Sequence, residues 1–198
     1  MEVVLASRSP RRREVLRSIG LNFRAIDPET DFAPGYSQPV DRDGAVRFAC
    51  DAARSKGEGY ARLHTEVVVI SADTIVHADG RIYGKPASLD DARATLRKFY
   101  DCTHLVVTGL AVHYRSECRC DAECTEVTFG SLTPAEEDIY IGKAQVMDKA
   151  GSYAIQGVGG VLVQGISGDY FNVVGMPLNL LDRLFKECGL PGLLGAIG

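Results

Sequence analysis

The chain has 198 residues, 45% of them hydrophobic and 24% charged, the size and composition of one globular domain with its own core, which excludes a disordered or membrane-embedded class. A formal net charge of -4 argues against a general nucleic-acid binder, because such domains carry a basic excess spread over one face. Any anion site must therefore be local. The basic cluster near the start follows a short apolar run, the reverse of a secretory signal, and no run approaches a membrane span; a cytoplasmic protein with no membrane partner is expected. Six cysteines without a secretory signal read as thiols. Cys118, Cys120 and Cys124 have the parity of one strand face, where cysteine packs as a small apolar residue, and lack the paired spacing of zinc ligands.

In chain order, Val3 to Leu5 read as a short buried strand. Ser9 and Pro10 then supply the N-cap and first residue of a helix that Gly20 stops. Asp41 to about Leu63 has helical spacing in Val46, Ala49 and Ala53, weakened by Gly57 and Gly59. Val67 to Ile70 is the apolar run of a strand buried on both faces, expected to end in the polar group Ser71 to Thr74. Ile75 to Ala78 and Arg81 to Tyr83 form a hairpin around Asp79-Gly80, the chemistry of a type I′ turn. Ser88 caps a helix that carries Leu89, Ala92, Leu96 and Phe99 on one side. Two long strands follow, His104 to Tyr114 and Cys118 to Phe129. Thr133, Pro134 and Glu136 open a capping-box helix that ends near Gly142. A strand at Val161 to Val163 and a helix from Leu178 to Cys188 after Pro177 complete the list, with the tail from Pro191 expected to pack loosely. No linker interrupts this order, so residues 1–198 read as a single α/β domain with a mixed sheet.

Arg11, Arg12 and Arg13 stand in the first turn of the first helix. Cations there oppose the helix dipole, at ~0.3–1 kcal/mol each when exposed. A phosphate set between the helix N-terminus, Ser7 or Ser9 and the first two arginines would reconcile them; a solvated basic turn paired to surface carboxylates is the alternative. Asp73, at the expected end of a buried strand, is either a general base or metal ligand or a cap of the following turn. Lys85, between Gly84 and Pro86, can meet a phosphate as a point charge. Gly157, Gly159 and Gly160 lack the order of a dinucleotide loop, and no phosphate-loop, HExxH or GxSxG motif occurs. Phosphate chemistry with carboxylates is what remains.

LASRSPRRREVL (5–16), SADTIVHADGRIYGKP (71–86), DKAGSYAIQGVGG (148–160) and GDYFNVVGMPL (168–178) together resemble the Maf family of nucleoside triphosphate pyrophosphatases, in order and over most of the chain. The resemblance implies an elongated α/β fold with flanking helices and a nucleotide-binding cleft of the Maf/ITPase-like kind, usually as a homodimer. It implies Asp73 as catalytic residue, Ser7, Arg11, Arg12 and Lys85 at the phosphates, a divalent cation (Mg²⁺ or Mn²⁺), and Asp31 as a metal ligand. A family lysine near residue 52 falls on Ala52, with Arg54 and Lys56 close by. The branch resembling dTTP and UTP pyrophosphatases carries arginine, threonine and glutamine at Arg11, Thr74 and Gln156, whereas the 7-methylguanosine triphosphate branch has an aromatic at the first and glutamate at the third. A nucleoside triphosphate substrate follows, with a non-catalytic nucleotide sensor in septum formation as the alternative and no nucleic-acid partner.

Overall fold

The computed structural model describes residues 1–28, 30 and 40–197. Seven strands form one mixed sheet: β1 (Val3–Ala6), β2 (Arg24–Ile26), β3 (Val68–Ala78), β4 (Arg81–Tyr83), β5 (Thr103–Tyr114), β6 (Glu117–Phe129) and β7 (Val163–Ser167). Their order is β2-β1-β3-β5-β6-β7, with β4 beside β3. The pairs β1–β2 and β1–β3 are parallel and the rest antiparallel. The helices are α1 (Pro10–Ser18), α2 (Arg42–Leu63), α3 (Leu89–Phe99), α4 (Pro134–Lys143), α5 (Tyr170–Val174), α6 (Leu178–Glu187) and α7 (Leu193–Ala196).

The expected break after Ile70 does not occur. One edge of β3 is laddered to β5 without interruption from Val69↔His113 to His77↔Leu105, and this ladder supplies the backbone partners that keep Ser71 to Thr74 extended. The other edge is different. Pairing with β1 ends at Ala6↔Ser71 and pairing with β4 begins at Val76↔Tyr83, so residues 72–75 have no strand partner on that edge among the described residues. The hairpin turn is as its residues require, with Asp79 at φ 50° and Gly80 at φ 68°, both positive as in type I′.

Helix α2 covers one face of the sheet and, contrary to the reading of Gly57 and Gly59 as weakening, runs unbroken. Gly57 is needed for contact, since a Cβ there would lie 2.7 Å from Ser71 Oγ. Ser71 Oγ itself donates to Ala53 O at 2.6 Å, and Cys118, Cys120 and Cys124, paired with His113, Ala111 and Val107, share that side. The opposite face packs α1 and α6 through Leu5, Leu16, Ile70, Leu110, Leu181 and Phe185, while α3 and α4 close over Val76, Phe99, Val106 and Phe129.

Three further expectations change. Ser9 occupies the N-cap position of α1 but its side chain makes no cap bond. The strand expected at Val161 to Val163 is β7, displaced because Gly157–Val161 is a 3₁₀ turn. The tail is docked: Leu193 is buried and its N–H donates to Asp182 Oδ1 at 2.7 Å. Sequence periodicity is silent on the three-residue β2 and the five-residue α5. No helix among the described residues is long and apolar enough to cross a membrane.

Helix α2 can approach β5 only over Gly109, where a Cβ would lie 2.1 Å from Ala49 O, a backbone atom. Gly109→Ala is therefore expected to lower stability by ~1–3 kcal/mol or more through overpacking, read as a fall in the urea midpoint; an unchanged midpoint would show that α2 does not depend on this contact.

Candidate active site

Successive strand residues face opposite sides of a sheet, and on β3 this alternation separates two neighbours. Asp73 faces α2, where Lys56 Nζ donates to its Oδ1 at 2.5 Å. Thr74 faces the other side, where it meets Arg12 at 2.9 Å. Both lie on the stretch of β3 whose edge has no strand partner, and a cavity of about 640 Å³ opens there. Asp73 is thus neither at a strand end nor a turn cap, as read from sequence. It is a mid-strand carboxylate held by an ammonium, both side chains more than four-fifths buried.

The loop from β1 into α1 supplies the cations. Arg12 is buried and donates from Nε to Gly175 O at 2.8 Å, from Nη1 to Ser7 Oγ at 3.3 Å and from Nη2 to Thr74 Oγ1 at 2.9 Å. That occupies three of the five N–H donors of a guanidinium. Burial pushes Arg12 down to about 10, partly offset by the nearby Asp73 carboxylate and reinforced by Arg11, which leaves it charged at neutral pH. Gly175, at φ 103°, ends α5 in the left-handed region, and its carbonyl is the one that receives Arg12. Ser7 Oγ also accepts from Ser9 N at 3.2 Å. Arg13 binds Ser7 O through Nε at 3.3 Å and Nη2 at 2.8 Å, so it braces the loop. The three arginines have three separate tasks: Arg12 and Arg13 turn inward onto the loop and its neighbours, and the alternative of a basic turn paired to a surface carboxylate describes only Arg11, which reaches the half-exposed Asp148.

Thr74 is committed on both sides. Thr108 Oγ1 donates to Asn172 O at 3.0 Å, which leaves its oxygen to accept from Thr74 Oγ1 at 3.0 Å, while Thr74 accepts from Arg12. Its first effect is to orient Arg12. Arg11, Lys85 and Gln156 line the same cavity; the last two are exposed, and Gly84 O, next to Lys85, accepts from Gly151 N at 3.0 Å. Arg11 Nη1 reaches Asp148 Oδ2 at 3.4 Å. The cavity therefore gathers Ser7, Arg11, Arg12, Asp73, Thr74, Lys85 and Gln156, every expected site residue except Asp31, which lies outside the described residues.

Lys56 answers the missing family lysine. Ala52 is completely buried, and Lys56 stands one helical turn further along the same face of α2, where it reaches Asp73. Arg54 turns away and pairs with Asp51 at 3.3 Å. Asp148 and Lys149 also line the cavity and were not singled out from sequence, where the motif showed their positions but no partner.

A local cluster of cations around one strand-borne carboxylate, in a cleft of an α/β sheet, has the chemistry to receive an anion beside a carboxylate. The chain belongs to the Maf-like protein family, whose pattern matches residues 2–188. It is 41% identical over 187 residues to the dTTP/UTP pyrophosphatase of Bacillus mycoides (strain KBAB4), covering 94% of this chain and 95% of that protein. It is 40% identical over 191 residues to the dTTP/UTP pyrophosphatase of Clostridium perfringens (strain 13 / Type A), covering 94% and 97%. A partial likeness to the solved structure of the Staphylococcus aureus Ham1 protein has a TM-score of 0.42 and 14% identity, over 66% of this chain and 72% of that one.

Thr74→Val removes the acceptor of a buried guanidinium and the donor to Thr108 while keeping the shape of the side chain. A loss of ~1–3 kcal/mol in unfolding free energy is expected, measured by urea denaturation. A stability equal to wild type would mean that Arg12 finds another acceptor and that Thr74 does not orient it.

Proposed function

We propose that this chain is a nucleoside triphosphate pyrophosphatase that hydrolyses dTTP and UTP to the monophosphate and pyrophosphate. The observation that carries the reading is the pairing of Asp73 with Lys56 on one side of the open strand edge and of Thr74 with the buried Arg12 on the other, within one cavity. Relatives matching 94% of the chain bear the name dTTP/UTP pyrophosphatase, which supports the same substrates here.

A triphosphate brings about four negative charges, and Arg11, Arg12 and Lys85 with a divalent cation would offset them locally without a basic surface. In the proposed step Asp73 takes a proton from a water that attacks the α-phosphorus, the bond to the bridging oxygen toward the β-phosphorus breaks, and pyrophosphate leaves with that oxygen. Lys56 fixes one carboxylate oxygen of Asp73 and directs the other at the water. Arg12, pre-oriented by Ser7, Thr74 and Gly175, and Lys85 meet the charge that grows on the leaving oxygens. A divalent cation, Mg²⁺ or Mn²⁺, would be held with the nucleotide's phosphate oxygens and would supply further charge neutralisation there, leaving the free oxygen of Asp73 to the water. Asp31 remains the proposed additional ligand. The family resemblance also supports a homodimer.

Pyrophosphate release from dTTP and UTP, abolished by a chelator and restored by Mg²⁺, is the expected result for the purified chain. Asp73→Asn should lower kcat by ~10²–10⁴-fold with nucleotide affinity largely kept. Near-normal turnover of Asp73→Asn would remove it as the base, and nucleotide binding without turnover by the wild type would favour a sensor.

Base choice gives a second test. The Gln156 amide offers both a donor and an acceptor, as the uracil or thymine edge requires, while a carboxylate suits the donor-rich methylated guanine. Because a site built for specific hydrogen bonds rejects analogues that leave them unpaired, CTP is expected to be a much poorer substrate than UTP, and Gln156→Glu should erode the preference. A wild-type preference for 7-methylguanosine triphosphate in a four-way competition would overturn the assignment.

A further inference from the structure

Asp148 is bound to two cations that belong to different parts of the fold. Its Oδ2 accepts from Arg11 Nη1 at 3.4 Å, bridging 137 residues of sequence to α1, and its Oδ1 accepts from Lys149 Nζ at 2.6 Å. Lys149 Nζ also donates to Gln145 O at 2.6 Å. Gln145 presents that carbonyl from the left-handed region, at φ 47°, a conformation that costs a non-glycine residue energy and persists only where its surroundings enforce it. Lys149 is 7% exposed, yet it lines the cavity together with Arg11 and Asp148.

Two features separate this cluster from an ordinary surface ion pair. First, a buried ammonium has three N–H donors, and the two contacts to Gln145 O and Asp148 leave one for a further acceptor. Second, the contact to Arg11 ties α1 to residues 145–156, a segment of 3₁₀ turns outside the sheet that leads directly to Gln156. Burial pushes the Asp148 carboxyl up, but the Lys149 ammonium and then Arg11 outweigh it and hold it below its usual value, so the bridge is charged at neutral pH.

We propose that Asp148 is a positioning residue for nucleotide binding, which holds Arg11 and Lys149 so that both meet the nucleotide together, with Lys149 as a cation of the site in its own right. The proposal rests on the pyrophosphatase reading for the identity of the nucleotide. Arg11 and Lys149 are donor-only groups that suit phosphate or keto oxygens, and a shared carboxylate sets their spacing without adding more than one negative charge to the cavity.

The test is a double-mutant cycle on the full chain with a non-hydrolysable UTP analogue, read as Kd by calorimetry, and in parallel with UTP, read as KM and kcat. Asp148→Asn is expected to weaken analogue binding by ~5–10-fold and to raise KM similarly, with kcat changed by less than about threefold. In an Arg11→Ala background the same substitution should add only about twofold, the part that runs through Lys149. Asp148→Glu, which keeps the charge, should restore most of the affinity. Asp148→Ser provides a second truncation, and thermal melting shows whether each variant is folded at the assay temperature. Unchanged binding, additive effects of Arg11→Ala and Asp148→Asn, or an affinity loss that tracks a fall in melting temperature would each overturn the proposal. If the wild type binds the analogue but releases no pyrophosphate, the reaction assignment fails while the binding cycle still decides the role of Asp148.

Discussion

Strand β3 is longer than its parallel partner, and the cleft follows from that mismatch. Its ladder with β5 is continuous, so the backbone through Asp73 and Thr74 is hydrogen-bonded along that edge. On the other edge β1 has already ended and β4 has not yet begun, so among the described residues that stretch has no strand partner. A strand held on one side and open on the other exposes functional residues without loosening them. The two-residue period of the strand then sends Asp73 toward α2 and Thr74 toward α1 and α5. A carboxylate and an arginine clamp thereby reach one cavity from opposite faces of the sheet.

The cations of the cavity are pre-oriented by partners whose cost is met inside the fold. Arg12 loses solvation but gains a carbonyl and two hydroxyls; Lys56 gains Asp73; Lys149 gains Asp148 and a backbone carbonyl. Groups fixed before substrate arrives lose little conformational entropy on binding. This explains how a chain with a net charge of -4 can hold a polyanion. The helix N-terminus of α1 adds its own positive end, and the first-turn arginines, unfavourable there in isolation, are each drawn off to a separate acceptor.

Close backbone approach carries this arrangement across the sheet. Gly109 lets α2 lie against β5 and Gly57 lets it pass Ser71 and His113, which sets the height at which Lys56 emerges. Gly175 ends α5 with its carbonyl on Arg12. Each is a position where a side chain would push a helix away from the sheet, and with it a cation away from Asp73.

The sequence by itself determined the class of fold, most of the elements and the residue types of the site, because hydrophobic period, capping residues and turn dipeptides are local signals. The capping box at Thr133, the Asp79-Gly80 turn and the helix after Pro10 are read from a few adjacent residues. Motif order singled out Ser7, Arg11, Arg12, Asp73, Thr74, Lys85 and Gln156, which the fold gathers around one cavity. Only the tertiary structure decided that Ser71 to Thr74 continue a strand, since the ladder that keeps them extended comes from β5, about 35 residues away. It alone showed that Lys56, one turn beyond Ala52, is the partner of Asp73, and that Arg12 is buried among α1, β3 and α5. Asp148 had no visible meaning in sequence for the same reason: its partner Arg11 is 137 residues away, and a charge reveals its function only when the fold brings its counter-charge within reach.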